Sequence, residues 1–171
     1  MELVDFNHNA TVNLDQLYPT GAFLTAGHLD DANTMTIGWG LIGIAWSKKT
    51  FIVMVTHSRF THHLIEKYQE FTVTIPYEDM KDELMYVGTH SGKDQDKYEA
   101  TKLKLMTGQT IKTPHISCKG MTYECRVIFK NDVNKEALDP DIYAKRYQVK
   151  QDYHTVYYGE ILASYLTEEH E

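Results

Sequence analysis

A chain of 171 residues is long enough for one domain with a sizeable core, and no repeat, low-complexity tract or linker divides it. Its 42% hydrophobic and 24% charged content is that of an ordinary globular protein and excludes a disordered or fibrous chain. Twenty-four acidic against 17 basic residues give a net charge of −7, which argues against nucleic acid, because affinity for a phosphate backbone comes from Lys and Arg. We therefore expect a single domain over 1–171. No apolar run approaches the roughly 20 residues of a membrane helix, and the acidic start Met1–Asp5 lacks a signal-peptide core. A cytoplasmic protein without membrane contact is expected. Cys118 and Cys125 form no CxxC pair and are too few for a disulfide framework, so both are read as buried thiols.

In chain order, the first 20 residues read as loop-rich, ending at Tyr18-Pro19-Thr20-Gly21. Short runs rich in β-branched and aromatic residues follow: Ala22–Ala26, Thr34–Trp39, Leu41–Trp46 and Phe51–Thr56. Turn chemistry at Asp30–Asn33 and Ser47–Lys49 separates them. Phe51-Ile52-Val53-Met54-Val55 is apolar on both faces, which predicts a central, buried strand. Phe60, Leu64, Ile65 and Tyr68 fall on one helical face, so Phe60–Gln69 is read as a helix. Phe71–Ile75 alternates and stops at Pro76, as a strand does. Asp79–Val87 reads as a second helix with Gly88 just past its end, and Asp94–Ala100 as a shorter third.

The remainder returns to strand. His115–Lys130 suits a strand pair or one bent strand, with a turn or bulge at Lys119-Gly120. Leu138-Asp139-Pro140-Asp141 opens a short helix or turn, and Tyr153–Leu166 is a final strand. Many short strands with a few short helices predict a mainly β fold, a barrel rather than a parallel sheet. The lack of strand–helix alternation and of GxGxxG argues against a dinucleotide-binding Rossmann domain.

Three segments have chemistry suited to a flavin phosphate. Asn33-Thr34-Met35-Thr36-Ile37-Gly38-Trp39 offers small hydroxyls and a glycine, which let backbone groups approach a flat ring with polar edges. Met35 or Trp39 would cover the ring, although the run also reads as an ordinary half-buried strand. His57-Ser58-Arg59-Phe60-Thr61 joins a strand to a helix. Ser58 is placed to cap that helix and Arg59 brings a guanidinium fork suited to phosphate, while a capped surface helix is the plainer reading. Gly88-Thr89-His90-Ser91-Gly92-Lys93-Asp94 combines two glycines, hydroxyls and an ammonium, and reads either as an anion seat or as a polar loop.

Taken together the three are more specific. NxMTxGW precedes SRxT by about 20 residues, and HSGxDxDK (His90–Lys97) follows about 30 later. This order resembles the flavin reductase-like, FMN-binding split-barrel family, which includes the flavoredoxins, from about Gly21 to Tyr158-Gly159-Glu160-Ile161. The resemblance implies an FMN-binding split β-barrel in which Asn33, Thr34, Met35, Thr36, Ile37 and Gly38 line the isoalloxazine edge. It implies Ser58, Arg59 and Thr61 on the phosphate, and His90, Ser91, Gly92 and Lys93 around the phosphate or ribityl tail. Many relatives carry arginine where Lys93 stands, and lysine keeps the charge without the fork. The resemblance further implies a homodimer and an FMN oxidoreductase that takes hydride from NAD(P)H and passes electrons onward. A carrier reduced by a protein electron donor and a non-catalytic flavin-binding module are the alternatives. No catalytic acid, base or nucleophile is assigned, since the cofactor would carry the chemistry. Nine histidines raise the question of a metal, but His57, His62 and His63 lack the HExxH spacing and no ligand set completes them, so none is expected. His154 could face a ligand or a subunit boundary.

Overall fold

The computed structural model, which describes residues 1–168, begins with β1 (Glu2–Leu3), α1 (Ala10–Asp15) and an irregular helical turn over Gln16–Thr20. It continues through β2 (Ala22–Ala26), β3 (Asn33–Ile37), β4 (Gly40–Ala45), β5 (Lys48–Thr56), α2 (Phe60–Tyr68), β6 (Glu70–Pro76) and α3 (Lys81–Thr89). Then come α4 (Lys97–Thr101), the short strands β7 (Leu105–Met106) and β8 (His115–Ile116), β9 (Gly120–Asp132), α5 (Pro140–Arg146) and β10 (His154–Thr167).

The main sheet is antiparallel throughout, in the order β3-β2-β6-β9-β10-β5-β4, with β1 also paired to β10. Its two outermost strands, β3 and β4, are consecutive in the chain and joined by Gly38 and Trp39 alone. Three Cα steps reach about 11 Å at most, whereas the outer strands of a flat seven-stranded sheet would lie roughly 29 Å apart. The sheet must therefore curl until its edges approach. They do not pair, so the result is a barrel split between β3 and β4, as the sequence predicts.

Inside the barrel, Leu24, Phe51, Val53, Phe71, Val73, Ile75 and Met121 form the main core, with α2 contributing Leu64 and Ile65. Three buried tyrosines keep their hydroxyls satisfied. Tyr123 donates to Phe6 O (3.0 Å), Tyr157 to Glu66 Oε1 (2.7 Å) and Tyr165 to Glu124 Oε1 (2.6 Å). Glu124, fully buried, also accepts from the backbone N–H groups of Gln109, Thr110 and Ile111, which pins that loop to the barrel. Burial pushes its pKa up, but these bonds, led by the Thr110 and Tyr165 hydroxyls, hold it below the ordinary value. A second core of Phe23, Leu84, Val87, Leu103 and Ile116 seats α3 on the outer face of β2 and β3.

Several elements differ from the sequence reading. The first 20 residues are not simply loop, for α1 packs there through Asn13, whose amide reaches Tyr123. Trp46 and Ser47, both at positive φ, make the β4–β5 hairpin turn, one residue earlier than expected. Rather than being central, β5 lies next to the edge strand β4. Phe51, Val53 and Val55 face the core while Ile52 and Met54 stay half-buried on the outer face. His115–Lys130 is neither one strand nor a pair, since β8 pairs with β7 and β9 starts afresh at Gly120. Asp96 caps α4, accepting from Tyr98 N and Glu99 N, which moves the third helix to later residues than expected. Both cysteines are buried and neither is joined in a disulfide.

The register of β9 against β10 slips at Tyr158/Gly159, a bulge that helps bend the sheet. A Cβ at Gly159 would lie 2.4 Å from Phe71 Cζ and 2.7 Å from Cys125 Cβ, so the bend closes on a bare backbone. Gly159→Ala is expected to lower stability by about 1–3 kcal/mol through overpacking, read as a reduced urea midpoint. Gly43→Ala, where a Cβ meets nothing within 4 Å, serves as the control and is expected to leave the midpoint in place.

Candidate functional site

Where β3 and β4 part, a cleft of about 750 Å³ opens. Because β3 pairs only with β2, the outer edge of Asn33–Ile37 has no strand partner along this cleft. All the residues singled out in the sequence line it except Thr34 and Lys93.

One side-chain amide ties the three predicted segments together. Asn33, on β3 and 4% exposed, donates from Nδ2 to Thr61 Oγ1 on α2 at 2.7 Å. Its Oδ1 lies where a Cβ on Gly92 would fall, 2.0 Å from that position, so only glycine lets the loop 90–96 close on Asn33. Gly88 plays a related part. It lies inside α3 rather than past its end, and a Cβ there would sit 3.1 Å from Thr36 Cβ. This close approach brings α3 against β3, where the Thr36 hydroxyl donates to Leu84 O at 2.5 Å.

Four cations line the cleft: Arg59, Lys97, Arg146 and Lys150. Arg59 donates from Nη1 to Gly88 O at 2.8 Å, leaving the rest of its fork available. Lys97 is 4% exposed and donates to Thr34 O and Val87 O, each at 2.9 Å, which leaves one of its three N–H groups for the cleft. Burial, and then the neighbouring charge of Arg59, bring its pKa down to about 8. Arg146 lies with its guanidinium carbon 4.8 Å from the centre of the Trp39 ring. None of the four forms an ion pair among the described residues. The single carboxylate in the lining, Asp152, is engaged by Ser58, whose Oγ and N donate to it at 2.5 and 3.2 Å. Burial raises the Asp152 pKa, but the Ser58 bonds outweigh it and keep the group ionised below the ordinary carboxylate range.

Apolar cover comes from Met35, Trp39 and Met54. His154, at the start of β10, lies 5.3 Å from the Trp39 ring, with Nδ1 2.8 Å from the Tyr147 hydroxyl. Burial first, and the charges of Arg59, His57 and Arg146 besides, hold its pKa below the imidazole norm against the pull of Asp152. Burial thus disfavours the charged form of the His154 imidazole. Beside the cleft, Thr155 Oγ1 donates to Asp132 Oδ1 (2.6 Å) and lies 3.1 and 2.9 Å from His57 and His62 Nε2. Among the described residues no group of three or more His, Cys, Asp or Glu is arranged to hold a metal ion.

Three sequence expectations need correction. Thr34 does not line the cleft, because its hydroxyl is engaged by Thr25 on β2 and by Tyr98 on α4. Ser58 does not cap α2: Arg59 holds the N-cap position without a side-chain cap bond, and the Ser58 hydroxyl is given to Asp152. Lys93 lies on the outside of the loop, its N–H bonded to Ser91 Oγ, and the ammonium that enters is Lys97, the last residue of HSGxDxDK. His90 lines the rim stacked on Tyr86, with ring centres 4.0 Å apart. Lys97 was visible as a motif position. His154, for which a ligand or a subunit boundary was open, lines the cleft, whereas Arg146, Lys150 and Asp152 carried no local signal, since the fold brings them from more than 100 residues beyond β3.

An antiparallel barrel, split at one seam and with its cleft at the split, is the flavin reductase-like split-barrel architecture. Residues 16–171 match the flavin reductase like domain family, and the chain belongs to that family of flavin-binding, oxidoreductase-type proteins. An uncharacterized protein of Archaeoglobus fulgidus is 31% identical over 149 residues, covering 87% of this chain and 73% of that protein. Among solved structures, flavoredoxin of Desulfovibrio vulgaris (Miyazaki F) superposes with a TM-score of 0.67 at 22% identity, covering 88% of this chain and 72% of that one. An FMN-binding protein from Thermus thermophilus gives 0.65 at 21% identity, covering 86% and 71%.

The lowered pKa of Lys97 sets a pH signature. An anion seated beside Lys97 favours the ammonium, so affinity for FMN is expected to be flat from pH 6.5 to about 8 and to fall as the free protein loses that proton. The slope approaches one decade per pH unit. Lys97→Met should weaken binding below pH 8 and abolish this slope, as fluorescence titration of FMN at each pH would show. An unchanged slope in the variant would place the titrating group elsewhere.

Proposed function

We propose that the protein is an FMN-dependent oxidoreductase in which a reduced nicotinamide, NADH or NADPH, delivers hydride to the flavin and the electrons pass onward to an acceptor. The observation that supports it most is the cleft itself: cations without carboxylate partners, beside an unpaired strand edge and apolar side chains. The donor set suits FMN. Arg59 and Lys97 neutralise the phosphate, supported by Ser91 and the backbone around Gly92. The free edge of Asn33–Gly38 hydrogen-bonds the polar rim of the ring, while Met35, Trp39 and Met54 shield its faces. FMN bound there supplies the hydride and electron-transfer chemistry, which no side chain of the cleft possesses. The protein's own part is to hold the three segments together through Asn33, to disfavour the charged form of His154 and to exclude water.

We further propose a homodimer. An apolar groove lined by Leu14, Leu17, Tyr18, Leu41, Ile52, Val156 and Tyr158 continues from the cleft, sharing Gly38, Trp39 and Met54 with it. Leu41, 63% exposed, sits on the unpaired edge strand β4, and a second copy would cover both edge and groove. Among the described residues no helix is long and apolar enough to cross a membrane. Two buried cysteines that form no disulfide fit a reducing compartment such as the cytoplasm.

The purified protein, mixed with FMN and passed over a gel-filtration column, is expected to retain flavin absorbance and to lose it on anaerobic addition of NADH or NADPH. Retained flavin that resists both nucleotides but is reduced by a protein donor would make the chain an electron carrier instead. Arg59→Ala is expected to weaken FMN by on the order of 1.5–3 kcal/mol, the value of a charge-assisted hydrogen bond; an unchanged dissociation constant would remove Arg59 from the phosphate seat. Leu41→Glu should shift the elution volume to that of a monomer.

A further inference from the structure

FMN carries one phosphate of charge about −2, and two cations, Arg59 and Lys97, match it. The cleft holds two more. Arg146 ends α5 and Lys150 follows in the turn beyond, and neither forms an ion pair among the described residues. Tyr147, between them, is 3% exposed, stacks on Tyr153 with ring centres 5.1 Å apart and reaches His154 through its hydroxyl. It anchors the end of α5, and Arg146 lies over Trp39 at the seam between β3 and β4. Asp139 caps the start of the helix by accepting from Asp141 N and Ile142 N. Asp152, the nearest candidate counter-ion in the lining, already accepts two bonds from Ser58. Complementing the dipole of a short helix does not account for the pair either: Lys145 also lies in the last turn, and Lys150 lies outside the helix.

We propose that Arg146 and Lys150 form a second anion seat at the outer end of the cleft, which holds a phosphate or carboxylate of the reaction partner rather than of the flavin. The proposal rests on the oxidoreductase reading and deepens it, because it assigns an anionic partner to the space over Trp39. Two sources share this chemistry: the phosphates of a nicotinamide dinucleotide, and the carboxylate of a small acidic acceptor. The Arg146 guanidinium lies over the Trp39 ring and forms no ion pair among the described residues, so its N–H groups suit either. Arg146 and Lys150 are positioning and specificity residues for that partner.

Calorimetric titration of the FMN-saturated protein with ADP-ribose, and separately with benzoate, tests this without turnover. Saturable binding of ADP-ribose assigns the seat to a dinucleotide; saturable binding of benzoate assigns it to a carboxylate substrate. In Arg146→Gln/Lys150→Gln the dissociation constant of the bound probe is expected to rise at least tenfold, while that for FMN stays within twofold and the gel-filtration volume is unchanged. Binding of neither probe, an FMN loss as large as that of Arg59→Ala, or an altered oligomer would each overturn the proposal. Should the wild-type protein fail to retain FMN, the same titrations are made on flavin-free Arg59→Ala protein. Probe binding that still depends on Arg146 and Lys150 then leaves the second seat standing while the flavin reading falls, and its absence removes both.

Discussion

Two residues, Gly38 and Trp39, join strands that lie at opposite ends of a seven-stranded path, and most of the architecture follows from that short link. The sheet has to curl to satisfy it. Full closure would have paired β3 with β4 and removed both free edges. Instead the link holds the edges close but apart, and β3 retains an edge with no strand partner beside a cleft. Backbone groups left unpaired on such an edge are costly when dry and unspecific when wet. Here α2, α3 and the loop 90–96 wall the edge in, and the Asn33 amide and the bare Gly92 hold those walls in register. The cleft is therefore a consequence of topology before it is a matter of side chains.

Electrostatics separates the cleft from the rest of the surface. On the open surface some lysines meet carboxylates, as in Lys49–Asp5 and Lys67–Asp31, exposed pairs that contribute little to stability, and the rest are solvated. Inside the cleft of a protein with a net charge of −7, four cations go without one. For Lys97 the cost is visible, since burial and Arg59 draw its pKa down to about 8. A fold selected for stability alone would neutralise that ammonium. Its persistence beside Arg59, held by two carbonyl oxygens rather than a carboxylate, is the pattern of a site whose counter-ion arrives with the ligand.

Much of the fold was legible because its signals are local. The strand Ala22–Ala26 was read to the residue, and the α2 face Phe60/Leu64/Ile65/Tyr68 was set by helical spacing. Asp139-Pro140 opened α5 through cap chemistry that needs no partner. The misreadings are equally instructive. Gly88 was taken as a helix stop, whereas tertiary contact with Thr36 uses its missing side chain within the helix. Ser58 has the composition of an N-cap, but Asp152, 94 residues away, competes successfully for its hydroxyl. Thr34 sits in the right strand but its hydroxyl is taken by Thr25 and Tyr98, and Lys93 sits in the right loop with the wrong facing. Composition marks a segment as suited to a ligand, but tertiary partners and loop path decide which side chains reach it. The basic residues brought by α5 had no such mark at all.

The reading of β5 shows how a sequence signal can be right about chemistry and wrong about place. Phe51–Val55 is apolar on both faces, which for a strand argues burial on both sides. In the single chain only one face is buried. The other, with Ile52 and Met54, joins Val156, Tyr158 and Trp39 in an open groove that runs on from the cleft. An apolar outer face on a strand beside the sheet edge is the surface that the proposed second copy would cover. Trp39 belongs to the seam, the cleft and the groove at once, so whatever covers the groove also bounds the space above the cleft. The polar wall of the site comes from β3, α2 and the loop after α3. The outer wall comes from α5 and the turn after it, and on the proposed reading that is where the chain sets which partner enters.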